Sequence, residues 1–164
     1  MSAPAFGNPD QALIHRFVQQ GAAAMPIDSN PMAQALRSTL LRVDRERSEV
    51  EIGFEPAELF IQGTGVLQGG AVTAMLDFAM AFATLAGLPP QASCATVNLS
   101  TSFLRPAPQG RYIATGTVDR CGKAMAFTQA RLLRADTGQL VATASSSLAV
   151  LMPALSAGPR TPGS

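Results

Sequence analysis

The apolar positions of this chain fall into three regimes. From Ala71 to Ala86 every side of a helical wheel is apolar, and Asp77 is the one formal charge in the run. A helix that is hydrophobic all round belongs inside a core. This one is short for a bilayer and carries a carboxylate near its middle, which argues against a membrane span. Gly65–Gly87 is thus predicted to hold a central buried helix, entered through Gly69 and Gly70 and stopped by Gly87-Leu88-Pro89-Pro90. Upstream, Leu13, Ile14, Phe17 and Val18 recur at helical spacing, which predicts an amphipathic helix over Asp10–Ala24 with Asp10 as its cap and a Pro-marked loop after it.

From about Leu36 the period changes to two. Leu41 and Val43 alternate with Arg42 and Asp44, and Val50, Ile52 and Phe54 alternate with Glu49, Glu51 and Glu55. The polar turn Asp44–Ser48 between them predicts a hairpin with one wet face, whose charges need no further role. Four more strand-like runs follow the central helix, about Cys94–Leu104, Arg111–Arg120, Ala124–Ala135 and Leu140–Leu151. Their short turns predict consecutive antiparallel neighbours. One apolar helix packs against six strands only if the sheet curls around it. The expected class is α+β, a curved antiparallel sheet wrapped around one long central apolar helix. The expected division is 1–35 as an N-terminal helix and loop, 36–152 as the main domain, and 153–164 as a disordered tail rich in Pro, Gly and Ser, with residues 1–9 frayed.

Composition narrows the function. With a net charge of +1 over 164 residues there is no electrostatic footprint for nucleic acid or an anionic membrane. Only 14% of residues are charged against 47% hydrophobic, which points to surface hidden in a homo-oligomer. No basic segment followed by an apolar block opens the chain, so a cytoplasmic location is expected. Cys94 and Cys121 lack metal-ligand spacing and read as reduced, packed thiols. The single histidine, His15, reads as a solvated side chain on the first helix; its isolation removes the usual zinc sites and any Ser-His-Asp arrangement. Neither a metal nor a separate cofactor is expected.

The chemistry concentrates at the central helix. A Gly-rich turn entering a helix N-terminus leaves backbone N–H groups for an anion or a developing oxyanion. A dinucleotide fingerprint fails, since Gly63-Thr64-Gly65-Val66-Leu67-Gln68 misses its third glycine, and no GK[ST] follows for a phosphate loop. Asp77 is costly to bury unless paired or used. At about 1.5 Å per residue it stands roughly 12 Å down the helix from Gly69. A carboxylate and an N–H donor acting on one substrate atom must each lie about 3 Å from it. Within one helix they cannot, so if both act, Asp77 of one subunit faces Gly69 of another across a two-fold axis.

Here the residues carry a resemblance. Gln62, then Gln68-Gly69-Gly70, then Asp77, followed by Asn98–Pro106 (NLSTSFLRP) and Gly122–Thr128 (GKAMAFT), resemble the hotdog-fold acyl-CoA thioesterases of the phenylacetate-pathway and 4-hydroxybenzoyl-CoA thioesterase type, over about Leu36–Leu151. The resemblance implies hydrolysis of an acyl-CoA thioester, with CoA as part of the substrate, by a dimer or tetramer. It implies Asp77 as nucleophile or general base, the Gly69 N–H as oxyanion donor, Gln62 near the thioester or attacking water, and Thr96 orienting that water. Gln68 and Gly70 would complete the helix entrance, and Arg105, Gly122 and Lys123 would meet the CoA phosphates. Gln68 stands where the family usually has His, and Gln62 where the phenylacetate branch has Asn. The rival expectation is a hotdog protein that binds acyl-CoA as a sensor or carrier, or a purely structural dimer, without turnover.

Overall fold

The computed structural model describes residues 6–152. The expected disordered tail at 153–164 and the first residues of the expected frayed start lie outside them. The first helix, α1, spans Pro9–Gln20 and ends at Gly21 in the left-handed region (φ 58°), short of the predicted Ala24. Its cap is Asn8, not Asp10: the Asn8 side-chain oxygen accepts from the Asp10 N–H at 2.8 Å. The Asp10 carboxylate instead accepts from Ser29 and from Asn30 Nδ2 (3.1 Å), tying the next loop to the helix. That loop holds two short elements the pattern did not predict, β1 (Met25–Pro26) and α2 (Pro31–Ala35), the latter capped by Asn30.

The strands are β2 (Thr39–Asp44), β3 (Glu49–Phe54), β4 (Ser93–Phe103), β5 (Tyr112–Cys121), β6 (Met125–Arg134) and β7 (Leu140–Leu151). With β1 they form one antiparallel sheet of seven in the order β1-β2-β3-β5-β6-β7-β4. The hairpin β2–β3 and its wet face are as expected: Arg42 on the outer face pairs with Asp44, Glu49 and Glu51. A bulge between Leu40 and Arg42 breaks the alternation, so Leu40, not Leu41, enters the core beside Val43. The expectation of consecutive neighbours fails once. β4 pairs with β7 instead of β5, because residues 104–108 leave the sheet and cross the loop before the central helix, with Leu67 N–H donating to the Ala107 carbonyl at 2.7 Å.

The sheet curves around α3 (Gly69–Gly87), the hotdog fold. Met75, Leu76, Ala79, Met80 and Phe82 are fully buried on it. At Gly116 of β5 the two backbones touch: a Cβ there would stand 2.2 Å from the Ala79 carbonyl oxygen. The helix is not covered all round, however. Thr73, Ala74, Asp77, Phe78 and Ala81 are only half-buried and Gly70 is exposed, a stripe that follows the free edge strand β4, whose residues 95–98 are exposed.

Candidate active site

The helix α3 and the edge strand β4 run antiparallel along one seam, and the seam carries the polar groups. Gly69 meets the Phe103 ring, Thr73 Oγ1 lies 3.3 Å from Thr101 Oγ1, Asp77 accepts from Thr96, and the Ala81 carbonyl lies 3.9 Å from Cys94 Sγ. Glycine, Thr73 and Asp77 follow at intervals of four residues, which puts them on one helix face. The repeated four-residue spacing makes Thr73 legible in the sequence, although the pattern reading passed over it.

At the acid end, the Thr96 hydroxyl donates to Asp77 Oδ1 at 2.9 Å. Burial pushes the Asp77 carboxyl above its ordinary value, and the Thr96 hydrogen bond offsets part of that rise. Among the described residues no cation pairs with it, and one hydroxyl holds the carboxylate in an apolar helix. Burial, and then the nearness of Asp77, pushes the Cys94 thiol up to about 12, which keeps it inert as a thiol. Cys121 is exposed at the end of β5, not packed as expected.

At the other end, Gln68 is the N-cap and leaves its side chain free of any capping bond. Among the described residues no acceptor meets the N–H of Gly69 or Gly70. The approach loop is pinned tightly. Gln62 N–H donates to the Val66 carbonyl (2.8 Å), Gly65 turns at φ 81°, and Gln68 N–H donates to the Phe60 carbonyl (2.8 Å). This holds Gln62 beside Gly69 on a cavity of about 400 Å³ whose walls include Val72, Phe103 and Ala107. Arg105 lines the same cavity, with Nη1 donating to the Leu140 carbonyl at 2.8 Å.

The structure therefore brings the candidates together in two groups: Gln62, Gly69 and Arg105 about one cavity, with Gln68 and Gly70 beside them, and Asp77 with Thr96 farther along the seam. Gly122 and Lys123 join neither group. Their β5–β6 turn adjoins Cys121, which lines a small cavity with Ala83, Thr84, Ala86 and Gly87 at the C-terminal end of α3. That end is roughly 27 Å from Gly69 along the helix. His15 is half-buried, its ring 4.9 Å from that of Phe6 and remote from both groups. Among the described residues no cluster of His, Cys, Asp or Glu could hold a metal ion.

The family model of the thioesterase superfamily matches residues 64–141. Among solved structures, the chain is 32% identical to a phenylacetic acid degradation-related protein of Ralstonia eutropha JMP134, provisionally assigned as a thioesterase; the match covers 83% of this chain and 98% of that one with a TM-score of 0.73. A Haemophilus influenzae thioesterase matches at 19% identity, 79% and 88% coverage and a TM-score of 0.70. The PaaI protein of the Escherichia coli phenylacetic acid degradation operon matches at 18% identity, 85% and 92% coverage and a TM-score of 0.65. None of the curated proteins matches the chain.

Proposed function

The chain belongs to the thioesterase superfamily, and we propose that it hydrolyses an acyl-CoA thioester at a site completed by a second copy of itself. The observation that carries this reading is the division of the site. A free N–H pair and a half-buried carboxylate lie on one rigid helix, about 12 Å apart, and cannot reach one substrate atom. The half-covered stripe of α3 and the unpaired edge of β4 offer the face through which a two-fold partner would bring its Gly69 to Asp77.

In this arrangement the partner's Gly69 N–H receives the thioester carbonyl oxygen, where negative charge develops. Asp77, with its raised pKa, takes a proton from a water whose oxygen bonds to the carbonyl carbon. The C–S bond then breaks, the thiolate takes up the proton, and free acid and CoA leave. A direct attack by Asp77 differs in passing through an anhydride. Thr96 fixes the carboxylate by one oxygen and leaves the other free to act. Gln62 lies beside the carbonyl site on the Gly69 side. The ammonium of Lys123 and the guanidinium of Arg105 come from opposite ends of α3, and an antiparallel partner would bring one of each to either site for the CoA phosphates.

The test is release of free thiol from a panel of acyl-CoA esters by the purified protein. Asp77→Ala is expected to lower kcat/KM by about 10²–10⁴, the contribution of a positioned general base. Full activity in that variant would defeat the mechanism, and no turnover of any ester by the wild type would defeat the function.

A further inference from the structure

We propose that the cavity beside Gly69 receives the acyl group and that the Phe103 ring sets the length it accepts; this rests on the thioesterase reading above. A carbonyl oxygen on the Gly69 N–H fixes the carbonyl carbon at the mouth of this cavity, and the sulfur and the acyl chain must leave that carbon in different directions. The cavity, about 400 Å³, is walled by Leu67, Val72, Phe103, Ala107 and Val141. Its polar lining is Gln62, Gly69 and Arg105, one of whose guanidinium N–H groups donates to the Leu140 carbonyl while the others stay open to a phosphate outside the apolar walls. Such walls suit a hydrocarbon body and offer nothing to a phosphate-bearing CoA chain.

Phe103 has the position of a gauge. It is the last residue of β4, 56% exposed, although Leu67, Val72, Ala107 and Val141 around it are buried. Its Cζ would stand 3.3 Å from a Cβ placed on Gly69, so the ring lies against the carbonyl-binding glycine itself. The ring also occupies space that a longer chain would need. The expected substrates are unsubstituted aliphatic or aromatic acyl groups, with hydroxylated or dicarboxylic ones of equal length disfavoured, since a hydroxyl or carboxylate buried against Leu67, Val72, Phe103 and Val141 would find no partner there.

The experiment measures kcat/KM for straight-chain acyl-CoAs from acetyl to hexadecanoyl, and for one 3-hydroxyacyl and one dicarboxylic ester, in the wild type, Phe103→Ala and Phe103→Trp. In the wild type the value should rise roughly fourfold per added methylene until the cavity is full, then fall. Phe103→Ala should move the optimum at least two carbons longer, Phe103→Trp should move it shorter, and the polar esters should lag their plain counterparts at least tenfold. An optimum unmoved in both variants overturns the role of Phe103 while leaving hydrolysis standing. A change in subunit number in Phe103→Ala, read by light scattering, also overturns it, because a moved optimum would then follow from an altered subunit interface and not from the cavity. If the wild type cleaves no ester in the series, both this inference and the reading beneath it fall.

Discussion

Asp77 is a costly residue for the fold and, in the proposed mechanism, the base for the chemistry, and the two can be measured apart. An acid whose folded pKa is raised binds its proton more tightly in the folded state. The folded protein therefore loses stability as pH rises from the ordinary carboxylate value through the raised one, and carries the full cost above it. Asp77→Asn removes the charge and keeps an oxygen for the Thr96 hydroxyl. This variant is expected to melt above the wild type at neutral pH, with the difference vanishing once the pH falls below the ordinary Asp value of about 3.9. Thermal melts across pH check this, and a wild type that melts above the variant at neutral pH contradicts it. The wild-type kcat/KM should fall on the acid side with an apparent pKa above that same ordinary value.

Gly69 admits a test of its N–H, with Gly69→Ala as the control that keeps the donor and adds the same Cβ, 3.3 Å from Phe103 Cζ. Gly69 is the first residue of α3, where proline is tolerated, and Gln68 before it lies at φ −57°, ψ 139°, the extended region that a following proline requires. Gly69→Pro therefore deletes the donor while preserving the helix. The expected loss in kcat is about 10²–10³, typical of one oxyanion donor, with an unchanged circular dichroism spectrum. Activity within a factor of two of wild type would remove Gly69 from the mechanism.

At the scale of elements, the site is aimed by the seating of α3 on β5. Gly116 lets the sheet backbone touch the helix at Ala79, two residues past Asp77. Gly116→Ala must lift the helix, with an expected cost of roughly 1–3 kcal/mol, toward the upper end because the clash is with backbone. Denaturant unfolding reads it, and a cost below the lower end would mean that α3 has room to shift. A glycine inside a strand is a sequence sign of such close approach, so this contact was legible in principle. The central helix was legible as a run apolar on every side, and the hairpin and the long strands as strand-like runs set off by turn residues. The bulge at Leu40, the Asn8 cap and the displacement of β4 to the edge were not. Each is decided by a contact outside the local period: one extra residue against β3, a cap two residues earlier, and a proline-rich segment crossing a distant loop. The cavity beside Gly69 was hidden for the same reason, since its walls come from three segments far apart in the chain.

At the scale of the whole molecule, the proposed site falls in two halves on one chain. Asp77 stood out in the sequence as a lone charge in an apolar helix, and its distance from Gly69 followed from helix rise alone. Thr96 had no such signal and came only from family resemblance; its hydroxyl reaches Asp77 from the next strand. A dimer joined along the α3–β4 seam would cover the open stripe and place two sites symmetrically about the axis, each with the acid of one subunit and the N–H of the other.

Mixing two inactive variants tests this claim directly. Asp77→Asn and Gly69→Pro homodimers should each be inactive, since every site in them lacks one group. Co-expressed or exchanged at equal amounts, half of the dimers should be mixed, and each mixed dimer should hold one intact site, for about a quarter of wild-type activity. If instead Asp77 and Gly69 serve the same site within one chain, every site in the mixture remains defective, and no activity returning on mixing contradicts the shared site.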